Sequence, residues 1–263
     1  MKKQEKRSPI KQKSLRYAGQ SLDERIDALL NEKALPYFIA AALVMAMAAS
    51  EWWRFYQDSP PSPKTMTVFA LCVVAYCIYK VRKILREVKS LRLGMDGEKE
   101  VGETLDELRE SGCKILHDIT GENFNLDHVI ISTKGIYVVE TKTYSKPTRG
   151  KATIEYDGEK ITIPCSKHGS GAPIIQALAA SRWLRELLQK MTGKQFSVYP
   201  VVVFPGWFVT QTQEARKAKV WALNPKALVT ILNRQQDSIA QTDVSLIHYN
   251  LAQYVRTKAG TDV

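Results

Sequence analysis

Residues 125–144 read NLDHVIISTKGIYVVETKTY. Two β-rich runs, 125–132 and 135–144, flank the short link STKG, which is the pattern of a hairpin. If Ile131 pairs with Ile136, the antiparallel register places Asp127 opposite Glu140. Like charges facing each other across a strand pair repel unless a cation lies between them. Side chains two apart on a strand share a face, so Glu140 and Lys142 project together while Thr141 points away. The spacing therefore predicts that Asp127, Glu140 and Lys142 converge at one end of a hairpin. Two neighbouring carboxylates make a hard-oxygen site suited to Mg²⁺. A lysine beside them can stabilise developing phosphate charge or position water. A Glu/Lys pair on a solvated strand face would show the same D…ExK spacing, but the apolar run IYVV argues for a buried strand.

Upstream, CKILHDI (113–119) predicts another strand. Before it, GMDGEKEVGETLDELRESG (94–112) predicts a helix from Glu98 that carries Val101, Leu105 and Leu108 on one face. Glu98 falls on that same face. It either complements the helix dipole in the first turn or points inward, where a carboxylate needs a partner, a proton or a metal. Downstream, APIIQALAASRWLREL (172–187) opens a helix over 173–191, with Gln176, Ala180, Trp183 and Leu187 on one stripe. A glutamine there either lines a site or marks the edge of the core. SVYPVVVFPG (197–206) is apolar enough for a strand covered on both faces. KVWAL (219–223) predicts a further strand, NPKALVTILNRQ (224–235) a helix with Asn224 as N-cap and Pro225 at N1, and 243–257 a last helix. His128 faces away from Asp127 and reads as a packing or hydrogen-bonding residue. In the stretch 145–172, Lys146, Arg149, Lys151, Lys160 and Lys167 offer contacts to phosphates, but the interleaved Glu155, Asp157 and Glu159 favour a solvated connector.

The ordered set GMDGEKEVGETL, NLDHVIIS, GIYVVETKTY and APIIQALAASRWLREL, running from about Gly94 to Phe204, resembles the NERD (nuclease-related domain) family. That family is similar in fold to the PD-(D/E)xK nucleases. The resemblance implies an α/β, restriction-endonuclease-like fold with a mixed central sheet flanked by helices. It further implies that Asp127 and Glu140 are metal ligands for Mg²⁺ or Mn²⁺. By the same resemblance Lys142 is the catalytic lysine, Glu98 the helix glutamate and Gln176 the polar residue of the following helix.

The N-terminal third is different in kind. Residues 34–50 and 65–79 contain no Asp, Glu, Lys or Arg. The apolar runs, 34–50 and 65–81, are each about 17 residues, at the short end of what spans a bilayer as a helix. Trp52, Trp53, Tyr56 and Tyr79 lie at the ends, where amphipathic rings favour the headgroup layer. Two buried core helices would show polar stripes, and these runs show none. A cleaved signal peptide would begin nearer the N-terminus. The net charge of +11 is concentrated in residues 1–33 and 80–92, on either side of the two runs, so it points to a membrane more than to DNA. By the positive-inside rule both the N-terminus and the C-terminal domain face the cytoplasm. Residues 1–20 read as a basic disordered segment and 21–33 as a short amphipathic helix. The four cysteines form no CxxC or Cys/His cluster, so neither structural zinc nor a disulfide framework is expected.

The expectation is a multi-pass protein of the bacterial cytoplasmic membrane. Its divisions are a basic segment (1–33), two transmembrane helices (about 34–53 and 65–81), a basic juxtamembrane helix (82–93), a nuclease-like domain (94–235) and a helical extension (236–263). The expected activity is metal-dependent hydrolysis of phosphodiesters, in DNA in preference to RNA. Membrane lipid is the second partner, held through the two helices and their basic flanks. The alternative is an inactive nucleic-acid-binding or scaffold module on the same fold.

Overall fold

The computed structural model describes residues 14–57, 63–121, 124–146, 153–164 and 169–258. The calls on Arg149, Lys151 and Lys167 fall outside these residues. In chain order the helices are α1 (Gln20–Ala28), a π-helical turn (Leu29–Ala34), α2 (Leu35–Tyr56), α3 (Pro63–Asp106), α4 (Ala172–Thr192), α5 (Pro225–Arg234) and α6 (Gln241–Lys258). The strands are β1 (Lys114–Thr120), β2 (Asn125–Ser132), β3 (Gly135–Thr141), β4 (Thr153–Tyr156), β5 (Ile161–Thr162), β6 (Val198–Val203), β7 (Phe208–Gln211) and β8 (Trp221–Leu223). Two compact units result: Ser21–Leu93, and Met1–Gln20 together with Gly94–Val263.

The larger unit is built on a five-stranded mixed sheet in the order β1-β2-β3-β6-β8. β1, β2 and β3 form an antiparallel meander, and β6 and β8 then add in parallel. Apolar residues on both faces of the central strands require cover on both sides. On one face Val129, Ile131, Ile136 and Val138 meet Ala180, Leu184 and Leu188 of α4 and Val244, Ile247 and Leu251 of α6. On the other, Ile115, Ile130, Val139, Val201 and Val203 meet Val101, Leu105 and Leu108, with Leu228 and Leu232 of α5. The inward face expected for the helix after Glu98 is therefore the face that is buried. α5 starts as its sequence dictates: the Asn224 side chain accepts the Lys226 N–H at 3.0 Å, and Pro225 follows it.

Residues 145–172 are not simply a connector. They contribute β4 and β5, which join β7 in a second, three-stranded sheet of order β5-β4-β7. Ile154, Tyr156 and Ile161 from these strands are buried against Phe204 and Trp207. The alternation in TIEYDGEKITI (153–163) carried that signal, but charged residues on the outward face masked it.

In the smaller unit, α1, the π turn and α2 form one continuous helix, Gln20–Tyr56. A separate amphipathic helix over 21–33 is thus not formed. Pro36 has no N–H and its ring crowds the carbonyl four residues back, which favours a wider turn just ahead of it. Accordingly the Leu35 N–H donates to the Leu30 carbonyl, five residues away. Gln20–Tyr56 is long and apolar enough to cross a membrane, and Phe38, Ile39, Leu43, Met45 and Met47 on it are exposed. It is the one such helix among the described residues. The second apolar run is the start of α3, and Val68, Phe69, Leu71 and Ile78 there are exposed too. The two helices run side by side in opposite directions. Trp52 Nε1 donates to Thr67 Oγ1 at 3.0 Å, and the Tyr37 and Tyr76 rings meet edge-on at 6.4 Å.

Leu184 is fully buried between α4 and the sheet, whereas Tyr249 on α6 is 63% exposed. Leu184→Ala is expected to cost about 2–5 kcal/mol of unfolding free energy, and Tyr249→Ala within about 0.5 kcal/mol of nothing. Denaturant unfolding of the detergent-solubilised protein checks this; equal effects would mean the α4 face is not the core.

Candidate active site

The site forms where β3 ends. The β2–β3 register pairs Ile131 with Ile136 and His128 with Val139. One step further along it, Asp127 faces Glu140. The strand end is held on its other side by β6, whose Val203 carbonyl accepts the Lys142 N–H at 2.9 Å. Asp127 Oδ2 accepts the Thr141 N–H at 2.7 Å, which fixes the carboxylate against the neighbouring backbone. Lys142 Nζ donates to Glu140 Oε1 at 2.7 Å and to Gln176 Oε1 at 3.0 Å. Glu140 is only 2% exposed, while the Lys142 side chain keeps 27% of its surface. Gln176 lies beside the buried stripe of α4 formed by Ala177, Ala180 and Leu184, and its amide reaches the lysine from that edge.

Glu98 approaches from α3 and is 9% exposed. Gly97 makes the approach possible, because a Cβ there would overlap the Thr143 side chain just beyond β3. All five residues singled out from the sequence therefore meet or act on one another. Asp118 also belongs to this neighbourhood. It is buried, takes a left-handed φ of 49°, and pairs with Arg16 at 2.8 Å. Neither residue stood out in the sequence. The only sign of Asp118 was a carboxylate inside an apolar strand pattern, and Arg16 looked like one more base in a basic segment.

Burial dominates the electrostatics, and neighbouring acids add to it at Glu98 and Asp127. Burial, then the charges of Asp118 and Glu140, push Glu98 up to about 7, against the opposing pull of Lys142 and a Gly19 N–H. Burial, then Glu140 and Glu98, hold Asp127 well above the usual carboxylate range. Burial also raises Glu140, although its ion pair with Lys142 works the other way. For Lys142, burial acts downward, but Glu140 and Asp127 outweigh it and leave the ammonium above its ordinary value. These are the shifts expected of carboxylates gathered where an opposite charge is wanted.

Asp127 Oδ1 and Glu140 Oε2 take no hydrogen bond among the described residues. Two unused hard oxygens on acids that repel each other fit a divalent cation such as Mg²⁺ or Mn²⁺. Among the described residues no group of three or more His, Cys, Asp or Glu is arranged to hold an ion by itself. Any cation would thus complete its shell with water, backbone or substrate oxygens. On the far strand face His128 Nδ1 lies 2.9 Å from His117 Nδ1, its cross-strand neighbour. Burial, then His117, push His128 well below the ordinary histidine value. His128 is thus a packing and hydrogen-bonding residue, as its position suggested, and its buried Nε2 has no partner among the described residues.

Residues 93–205 match the model of the NERD family, the nuclease-related domain. That stretch contains Glu98, Asp127, Glu140, Lys142 and Gln176. An uncharacterized protein of Bacillus anthracis is 32% identical over 82 residues, covering 29% of this chain and 38% of that protein. The chain thus spans well under half the length of that relative. Among solved structures, Pyrococcus furiosus SfsA in complex with Ca²⁺ matches at 20% identity and a TM-score of 0.25, over 48% of this chain and 54% of that one. A superposition that loose carries no argument about the site.

The raised acids make stability depend on pH in one direction. An acid with a raised folded pKa adds stability that is complete below its unfolded value and is lost as pH rises through its folded value. For Glu98 that window runs from the ordinary 4.5 to about 7. In a chelator, the thermal midpoint is expected to fall from pH 5 to pH 7.5, and the fall should be shallower in Glu98→Gln. Parallel profiles for the two proteins would show that Glu98 does not carry the proton.

Proposed function

We propose that this chain is a membrane-anchored nuclease that hydrolyses phosphodiester bonds of DNA, or of RNA, with Mg²⁺ or Mn²⁺. The convergence of Asp127, Glu140 and Lys142 at one corner of the sheet carries the reading. The match of residues 93–205 to the nuclease-related domain supports it. A divalent cation held by Asp127 and Glu140 would supply Lewis-acid activation at the scissile phosphate. Lys142, with its charge secured by two acids, is placed to stabilise negative charge that grows on the phosphoryl oxygens. Gln176 restrains the lysine side chain, so its ammonium does not have to be ordered when substrate arrives. Glu98, shifted to about 7, exchanges a proton readily near neutrality and suits a proton-holding role beside the cation.

Glu140→Ala and Lys142→Ala are expected to lower cleavage of labelled duplex or single-stranded DNA by about 100-fold or more, with chelator abolishing cleavage by the unaltered protein. Both variants should keep their unfolding transitions. Cleavage that survives in both would overturn the assignment. Salt-sensitive DNA binding with no cleavage in any divalent ion would instead favour the non-catalytic binding module.

The membrane part of the proposal is a two-helix hairpin formed by α2 and the start of α3, with both basic flanks in the cytoplasm. The exposed apolar side chains of both helices support it, since water is a poor solvent for Phe38, Leu43, Phe69 and Ile78 together. A protease-cleavage site inserted at 57–63 should be cut from outside intact spheroplasts, while the C-terminal domain stays protected. Digestion of that domain from outside would reverse the topology.

A further inference from the structure

Residues 14–20 come before the first apolar helix in the chain, yet they group with the catalytic unit. Four contacts hold them there. Arg16 Nε pairs with Asp118 Oδ2 at 2.8 Å, with the two side chains only 10% and 1% exposed. The Tyr17 ring lies 6.0 Å from Lys99 Nζ. Ala18 is buried, and a Cβ on Gly102 would come within 2.9 Å of its own Cβ. Gly19, at φ 77°, lies against Met95 of α3, one turn before Glu98, and its N–H is among the influences that lower Glu98.

One carboxylate of the site lies beside this segment. Glu98 is surrounded by acids, and its favourable partners are Lys142, at a distance, and the Gly19 amide. That amide reaches it only because position 19 has a left-handed turn with no side chain; a Cβ there would meet Met95 at 3.0 Å. Asp118 would strengthen the repulsion on Glu98 if its own charge were left unpaired. A buried acid that loses its partner is strongly destabilising, so Arg16 is the anchor of the segment. Asn125 Nδ2 also reaches Asp118 Oδ1, at 3.3 Å.

We propose that Arg16 is a positioning residue: its ion pair with Asp118 docks residues 14–20 and so sets the Gly19 N–H on the Glu98 carboxylate. The chain upstream of the membrane helix is then a working part of the site and not a tail. The proposal rests on the reading of Glu98 as a site residue of a nuclease.

The test uses the full-length protein in detergent micelles, with Arg16→Ala, Arg16→Lys and Asp118→Asn. In Arg16→Ala, kcat for DNA cleavage should fall about 10- to 100-fold with KM nearly unchanged, as for other losses of an outer-shell partner. Arg16→Lys should recover most of the loss, since a lysine still offers a charge. Adding Asp118→Asn to Arg16→Ala should cost little more than the worse single change, because the pair acts as a unit. In parallel, hydrogen–deuterium exchange should show residues 14–20 protected in the unaltered protein and rapidly exchanging in Arg16→Ala, with the β2–β3 hairpin unchanged. Retained protection in Arg16→Ala, an effect on KM alone, or no rescue by lysine would each overturn the proposal. If the unaltered protein cuts no nucleic acid in any divalent ion, the nuclease reading fails by itself. The exchange measurement then still decides whether Arg16 docks the segment against Glu98.

Discussion

Two acids facing each other on adjacent strands repel, and this protein places Asp127 and Glu140 in that relation at the end of its most buried hairpin. The rest of the site compensates for that placement. Lys142 binds Glu140 at 2.7 Å, the Thr141 N–H satisfies one oxygen of Asp127, and Gln176 holds the lysine from the next helix. Remove the register and these groups scatter to opposite faces, because a one-residue slip inverts every side chain on a strand. The apolar cover on both sheet faces fixes that register: Ile131 and Ile136 pack toward α4, and Ile130 and Val139 toward α3. The same packing that stabilises the core therefore also sets the spacing of the acids.

The uncompensated remainder is informative. Glu98, Asp127 and Glu140 all have raised pKa values: burial is the largest cause for each, and neighbouring acids add to it at Glu98 and Asp127. Structural ion-pair networks usually end in balance. Here, among the described residues, the lysine is paired with one of the three acids, and Asp127 Oδ1 and Glu140 Oε2 take no hydrogen bond. Such a corner suits a charge from outside the chain, and it lies at the end of β3, the central strand of the sheet. Asp118 lies nearby and is paired with Arg16, as Glu140 is with Lys142, which separates both from Glu98 and Asp127.

The chain path adds a further constraint. The larger unit takes its polypeptide from both sides of the Ser21–Leu93 unit. α3 runs unbroken from Pro63 to Asp106, so the helix that carries Glu98 begins in the apolar run. The glycines at 94, 97 and 102, which in isolation weaken a helix, are tolerated there. At 97 and 102 a side chain would collide with Thr143 or Ala18.

The sequence alone determined the local elements and most of the site. Period-two and period-3.6 patterns gave β2, β3, β6, α4 and the inward face after Glu98, and the hairpin register followed from Ile131 and Ile136. Those readings succeed because each depends on neighbours within one or two elements. Tertiary structure alone decided the second sheet of β4, β5 and β7, the continuity of the first helix through its π turn, and the attachment of residues 14–20 through Arg16 and Asp118. Those depend on partners far along the chain; Arg16 and Asp118 are 102 residues apart. No pattern within a sequence window links such positions, because the burial that makes their ion pair matter exists only after the core has formed.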